Sequence, residues 1–337
     1  MKLIAGQWNE LAKRFKTPLL QYEWFSSYAD TLGHPKQLRV LVNSSHGEIT
    51  GIAPLFMTTF SWNRLEILGQ RFLSEPMGFI YKDKESLESL IDAISQMRIP
   101  LLFWRLGAGS PEVIKLSQLS GWKHFIKSGL GSPFIEVKTD WNTFTKQMTP
   151  DALLDLEQKR AQLEKEGKVT IEMVQPSSGG IDNYFEDILR IESTGWKGRA
   201  RSPLLYYRLK LFYYTYCREM ARLGLLRLGF LKIDKKAIAV QIAIEDLKRF
   251  WLIKTWRDEA WTSCHPDVVL THETIWHAHD HNLEGYEFLG HDASWIHRWT
   301  RTTHPLVNVR SYPYSFRGMG TFARDASLSV FSRLTGS

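Results

Sequence analysis

Three short stretches in the second half of the chain set acids, bases and cations close together. In Glu192-Ser-Thr-Gly-Trp-Lys-Gly198 two glycines bracket an indole and an ammonium, with a carboxylate just before them. On a short loop this grouping can hold Lys197 over a phosphate and bring Glu192 to an acceptor, with Trp196 lining the same site. Its plain structural alternative is a helix C-cap with Trp196 packed beneath. The second stretch, Lys254–Leu270 (KTWRDEAWTSCHPDVVL), reads as a strand end, a polar loop carrying Thr255 and Trp256, and a helix opened by Pro266. Unpaired N–H groups and the positive end of the helix dipole around Pro266, Asp267 and Val268 suit a pyrophosphate. The Asp267 carboxylate suits the dipole equally well and would repel such an anion. The third stretch, Glu287–Thr300 (EFLGHDASWIHRWT), puts Glu287 at a strand end and Gly290-His291-Asp292 in a turn. A carboxylate and an imidazole there fit acid/base work; an exposed Asx-type turn is the alternative.

Other groupings carry less. His272, His277, His279 and His281 crowd one helix, but His-Glu-Thr-Ile-Trp-His is one residue too long for the HExxH zinc spacing and has no third ligand, so no metal is expected. Cys264 beside His265 is poor geometry for a thiol nucleophile, because adjacent side chains rarely face each other. The chain has no P-loop, no GxGxxG after a strand and no GxSxG.

Two copies of one unit must position these stretches. Leu38–Asn43 and Glu48–Phe56 read as strand, polar turn and strand carrying Ile-Ala, as do Leu226–Ile233 and Lys236–Ile244 across Asp234-Lys235. Self-similarity at that separation points to two related domains, not to short repeats. The alternation of helices with mostly antiparallel strands predicts α/β architecture with mixed sheets. The 337 residues suffice for two cores. The polar stretch Thr139–Pro150 sets the expected division: 1–145, 146–325 and a tail, 326–337. Helices are expected at Gln21–Leu32, Lys84–Met97, Ser110–Leu119, Asp151–Glu166, Asp182–Ser193, Leu204–Leu223 and Pro266–His281. Further strands are expected at Arg64–Leu68, Gly78–Tyr81, Leu101–Leu106, Phe134–Val137 (closing the first half), Val169–Val174, Phe250–Lys254 and Tyr286–Leu289. Short strands and a loose end complete the chain.

Composition limits the class. With 43% apolar and 23% charged residues, two cysteines without a CxxC pair, and no long apolar run, a cytoplasmic protein without disulfide framework or transmembrane segment is expected. The net charge of +7 is uneven, for Ala293–Arg324 holds no Asp or Glu. That basic, aromatic stretch suits an anionic ligand such as a CoA phosphate, an acidic glycan, RNA or a lipid surface; a solvated sheet face is the alternative.

Taken in order, these segments resemble the CelD-type branch of GNAT-fold acyltransferases, bacterial proteins linked to cellulose or exopolysaccharide synthesis and related to FemABX-like transferases. The likeness rests on Gln21–Trp24, Gly51-Ile-Ala-Pro-Leu55 and Leu68-Gly69 in the first half. In the second it rests on Glu192 with Trp196-Lys197-Gly198, Phe212-Tyr213, Leu231–Ala239, Lys254, the Pro266 helix start, Phe288-Leu289-Gly290, Asp292 and Trp299-Thr300. It implies tandem GNAT-like domains. The second would hold acetyl-CoA or another acyl-CoA as substrate and pass the acyl group directly to an amine or hydroxyl of a small molecule or glycan precursor. Glu192, Lys254, Glu287 and Asp292 are the expected catalytic set, with Trp196, Lys197, Thr255, Trp256, Pro266, Asp267, Val268, His297 and Arg298 around the donor. Two departures stand out: relatives carry Ser-Pro-Gly where this chain has His265-Pro266-Asp267, and a Lys where it has Ile296. His297 or Arg298 would then help hold the donor. The rival expectations are a FemABX-like transferase using charged tRNA, which the basic 293–324 stretch favours slightly, and a non-catalytic descendant serving polysaccharide assembly.

Overall fold

The computed structural model describes residues 1–58, 63–195 and 203–335. Along the chain run α1 (Ala5–Ala12), α2 (Tyr22–Thr31), β1 (Leu38–Ser45), β2 (Glu48–Thr58), β3 (Arg64–Ile67), α3 (Gln70–Leu73), β4 (Ile80–Tyr81), α4 (Lys84–Gln96), β5 (Leu101–Gly107), α5 (Pro111–Ser117), β6 (Trp122–Ser128) and β7 (Ser132–Glu136). Then come α6 (Trp141–Gln147), α7 (Pro150–Glu166), β8 (Val169–Val174), α8 (Asp182–Gly195), α9 (Pro203–Arg222), β9 (Leu226–Ile233), β10 (Lys236–Asp246), β11 (Arg249–Arg257), α10 (Pro266–Asp280), β12 (Gly285–Glu287), β13 (Thr303–His304), β14 (Leu306–Pro313) and α11 (Phe316–Thr335).

The chain forms two compact units, Met1–Gly131 with His304–Ser337, and Ser132–Thr303. The first sheet has the order β1-β2-β3-β5-β14-β6, with β4 on β2. The second has the order β13-β7-β12-β11-β10-β9-β8. Both repeat one plan. Antiparallel strands β1, β2, β3 and β9, β10, β11 are each followed, after a helix, by a parallel neighbour, β5 and β12 respectively. Three hairpin turns share one geometry, with positive φ at both central residues: His46-Gly47, Asp234-Lys235 and Leu247-Lys248. Such turns match the twist of the strands they join.

One expectation is corrected. Residues 134–137 do not close the first sheet: β7 pairs with β12 in the second sheet, while β14 lies between β5 and β6 in the first. The units therefore part at 131/132 and 303/304, against the expected 145/146. The short strands expected near the end are β13 and β14, but the terminal segment, expected to be loose, forms helix α11.

In the second unit β10 is buried along nearly its whole length, as a central strand covered on both faces must be. Leu231, Ala239, Ala243, Phe250 and Leu252 join Val268, Leu270, Ile275 and Tyr286 in the core beneath α10. Thr149 caps α7 through Ala152 N–H (3.3 Å), and Pro150 occupies the first turn, where its missing N–H costs nothing. Leu156 and Leu163, seven residues apart, carry its buried stripe.

Candidate active site

The second sheet opens along β11. Its parallel pairing with β12 covers Arg249, Phe250 and Trp251, opposite Gly285, Tyr286 and Glu287. β11 runs on to Arg257, past the end of that pairing. On the other side Ile242 faces Lys254 and Ala243 faces Leu252, so Ile253 is an extra residue, a β-bulge. The bulge inverts the alternation. Phe250 and Leu252 face the α10 core, yet beyond it Lys254 and Trp256 face the opposite side, where Tyr213 of α9 meets both. Lys254 Nζ lies 5.7 Å from its ring centre, and Trp256 packs edge-on at 6.0 Å. Thr255 and Arg257 take over the α10 side.

Glu192, 7% exposed, joins the first face from α8 and pairs with Lys210 of α9 at 3.4 Å. Lys210 and Tyr213 stand three residues apart, on one side of their helix. The end of α8 is fixed beside the end of β11. Thr194 Oγ1 accepts from Glu259 N–H at 3.0 Å, and Arg190 donates to Ala237 C=O at 2.7 Å. Trp196 and Lys197 lie outside the described residues.

On the α10 face Arg257 Nη1 donates to Asp267 Oδ2 at 2.8 Å. The first helical turn thus carries its own carboxylate, held by a guanidinium. Thr255 Oγ1, Arg257 Nε and Asp267 Oδ1 are buried there without a hydrogen bond to the described residues. Three unmatched polar atoms in one corner are costly in an empty protein and useful to a polar ligand. Pro266 is buried at the helix start, preceded by His265 in the left-handed region (φ 45°). The Val268 side chain is 4% exposed and belongs to the core; its N–H bonds to His265 C=O at 3.0 Å, so neither faces outward.

The third stretch is divided. Glu287, 2% exposed, receives Arg249 Nε at 2.9 Å and Nη2 at 2.6 Å on one oxygen. Gly285 leaves the room Arg249 needs, since an added Cβ would collide with the guanidinium. After Glu287 the chain turns through Leu289 and Gly290, both with positive φ (56° and 52°). Asp292 Oδ1 then bonds His297 Nε2 at 2.8 Å, both half-exposed. Arg298 is drawn away to α7, where its Nη1 donates to Asp155 at 2.7 Å. Burial would raise the Asp155 pKa, but the hydrogen bonds from Lys159 and Arg298 outweigh it and hold the carboxyl below its usual range.

The structure therefore gathers Glu192, Lys254 and Trp256 on one face of β11 and Thr255 and Asp267 on the other. It ties up Glu287 and Arg298 in ion pairs and leaves Asp292 with His297. Sequence reasoning counted Tyr213 toward the resemblance but gave no site role to it, nor to Lys210, Arg249 or Arg257. Period-two alternation from Thr255 would have marked Arg257; no local signal marks the others as neighbours of this strand.

Residues 152–297 match the family model described as Acetyltransferase (GNAT) domain. This part of the chain has a GNAT-like fold. No curated protein matches the chain. Solved structures show the same fold over nearly its whole length. The C-terminal domain of a putative lysylphosphatidylglycerol synthetase from Agrobacterium fabrum covers 97% of this chain and 96% of its own, at 10% identity and TM-score 0.59. FemX covers 88% and 92%, at 12% identity and TM-score 0.56. A tandem GNAT protein from the clavulanic acid biosynthesis pathway covers 93% and 96%, at 9% identity and TM-score 0.50. The chain thus folds as a tandem pair of mixed α/β GNAT-like domains. No helix among the described residues is long and apolar enough to cross a membrane, and no metal-holding group of three His, Cys, Asp or Glu is gathered among them.

Proposed function

We propose that the second unit moves an acyl group from an acyl-CoA to an amine or hydroxyl of a small-molecule or glycan acceptor, in the manner of the CelD-type branch. The observation that carries this reading is the opening between β11 and β12 beyond Trp251 and Glu287. An exposed strand edge can take an extended amide-bearing arm as an added strand, and the pantetheine of CoA is such an arm. Backbone N–H groups past the Ile253 bulge would then meet the thioester oxygen as it gains charge. Lys254 and Trp256 line the approach from the α9 side, and Thr255 and Arg257 offer donors toward α10. The attacking amine must shed a proton. With Glu287 engaged by Arg249, the acceptors are Glu192 beside Lys210 and the Asp292–His297 pair. The reaction breaks the thioester C–S bond, forms the new C–N or C–O bond and releases CoA thiol.

Binding of donor to the folded state stabilises it by mass action. Acetyl-CoA or a longer acyl-CoA at millimolar concentration is expected to raise Tm by several degrees. Lys254→Ala is expected to lose transfer at unchanged Tm. An unmoved Tm across a series of CoA thioesters, or full turnover by the variant, speaks against the assignment.

Asp267 favours a second reading. Its carboxylate stands where a pyrophosphate would rest, so a donor without one, such as an aminoacyl-tRNA ester, fits that corner better. Structures named FemX and lysylphosphatidylglycerol synthetase share the fold, which agrees with it. Salt-dependent tRNA binding together with indifference to CoA would select this reading. Binding of neither donor would select a non-catalytic partner in polysaccharide assembly.

A further inference from the structure

The first unit contains a cleft of about 910 Å³ with no part in the chemistry above. Its floor is the sheet face shared by β5, β14 and β6. The register sets Asn308 opposite Lys127, Arg310 opposite Phe125 and Tyr312 opposite Lys123, so all six side chains rise on one side. Their strand neighbours Val309 and Ser311 are fully buried on the other. Helix α11 roofs one end. Phe322 stacks on Phe125 at 5.4 Å, with Lys123 Nζ 4.6 Å from its centre, and Tyr312 donates to Asp325 Oδ2 at 2.6 Å. The other end is uncovered, where Leu130 remains 60% exposed.

Arg310 and Lys127 give this cleft its positive charge. Arg310 lies over the Trp104 ring at 5.8 Å, and Lys127 stands two residues beyond Phe125 on the edge strand. The one lining carboxylate, Asp325, is already satisfied by Arg64 and Tyr312. The Trp104 Nε1–H is buried and donates to none of the described residues. What remains is two cations and an unmet donor around an aromatic and aliphatic wall. The backbone there is strained: Arg105 takes φ 53° inside β5, in the bulge between Val307 and Val309, pinned by its N–H to Asn308 Oδ1 at 2.9 Å. Strain of this kind persists where the surroundings enforce it, often at ligand sites.

We infer that this cleft binds an amphiphilic anion, its apolar body between Trp104, Phe125 and Phe322 and its charged head at Arg310 and Lys127. Head and body are both required: the wall alone would accept any oil, and the cations alone any phosphate. Isothermal titration of the full chain with octyl phosphate, below its micelle concentration, against octanol and inorganic phosphate separates these cases. Octyl phosphate is expected to bind one-to-one at micromolar concentration, and each half-ligand at least thirtyfold more weakly. Arg310→Gln is expected to weaken octyl phosphate at least tenfold without changing octanol. Ala326→Trp, which fills the cleft from α11, is expected to remove both. Should either variant lose its cooperative thermal transition, Lys127→Gln at the open end replaces it and is expected to weaken octyl phosphate several-fold. Octanoate in a parallel titration tells a carboxylate head from a phosphate one. The inference falls if octyl phosphate fails to saturate, if phosphate alone binds as well, or if the folded variants bind like the parent.

Discussion

At the scale of single residues, the candidate site is a place where the protein tolerates poor internal chemistry. Thr255 buries a hydroxyl that bonds to none of the described residues, beside a guanidinium nitrogen and a carboxylate oxygen in the same state. An unsatisfied buried polar group costs on the order of 1–3 kcal/mol. Thr255→Val keeps the shape and removes the group, so urea unfolding is expected to show a gain of about 1 kcal/mol. Donor affinity is expected to fall in the same variant, the trade expected of a binding group. A gain in stability with unchanged affinity would make Thr255 a bystander. In the first unit Glu112 gives a second case. Burial raises its pKa, only partly opposed by hydrogen bonds that include one from Tyr81. A carboxyl whose folded pKa is raised weakens folding as pH climbs from the ordinary value of about 4.3 toward the folded one. Glu112→Gln is therefore expected to match the parent near pH 4 and exceed it in Tm at pH 7, as a thermal-shift series would show. Such details were partly legible beforehand. Residue types marked Lys254, Trp256 and Asp267, but no pattern pairs Asp267 with Arg257 or Glu287 with Arg249, because those contacts join residues that the sheet and helix bring together.

At the scale of elements, the decisive device is one extra residue. Ile253 carries neither glycine nor proline to announce a bulge, so the sequence predicted a strand ending at Lys254, and the structure continues it to Arg257 with its faces exchanged. Hairpin turns were readable because polar turn residues interrupt apolar runs. Helix α11 was not: Gly318 and Gly320 sit in its first turns and read as breakers. Placement of α10 over the sheet rests on a buried polar chain. Gln241 donates to Thr271 and accepts from Thr274, whose hydroxyl also meets Tyr286, each at 2.9–3.0 Å. Gln241→Ala would strand these hydroxyls around a cavity. A loss of about 3 kcal/mol is expected in urea unfolding, whereas a loss under 1 kcal/mol would show the helix held by its apolar contacts alone.

At the scale of the whole molecule, each sheet borrows from the opposite half of the chain. The sequence showed a strand at 134–137 and short strands, without bounds, in the stretch that holds β14; it could not show which sheet each enters, because either sheet buries an apolar strand equally well. Residues 1–131 alone lack β14, the strand between β5 and β6. That fragment is expected to show no cooperative thermal transition until a peptide spanning 304–335 is added, with circular dichroism as readout. An independent transition in 1–131 would mean that β14 only decorates a finished sheet. The borrowed strand also bears on biogenesis. During synthesis β6 leaves the ribosome roughly 180 residues ahead of β14, a delay of roughly 10–35 s at about 5–20 residues per second. Throughout that interval the earlier portion must wait with a gap in its sheet, while the second unit can already close. Maturation then runs against the direction of translation, and the nascent chain's greatest need for chaperone shelter falls on its front end.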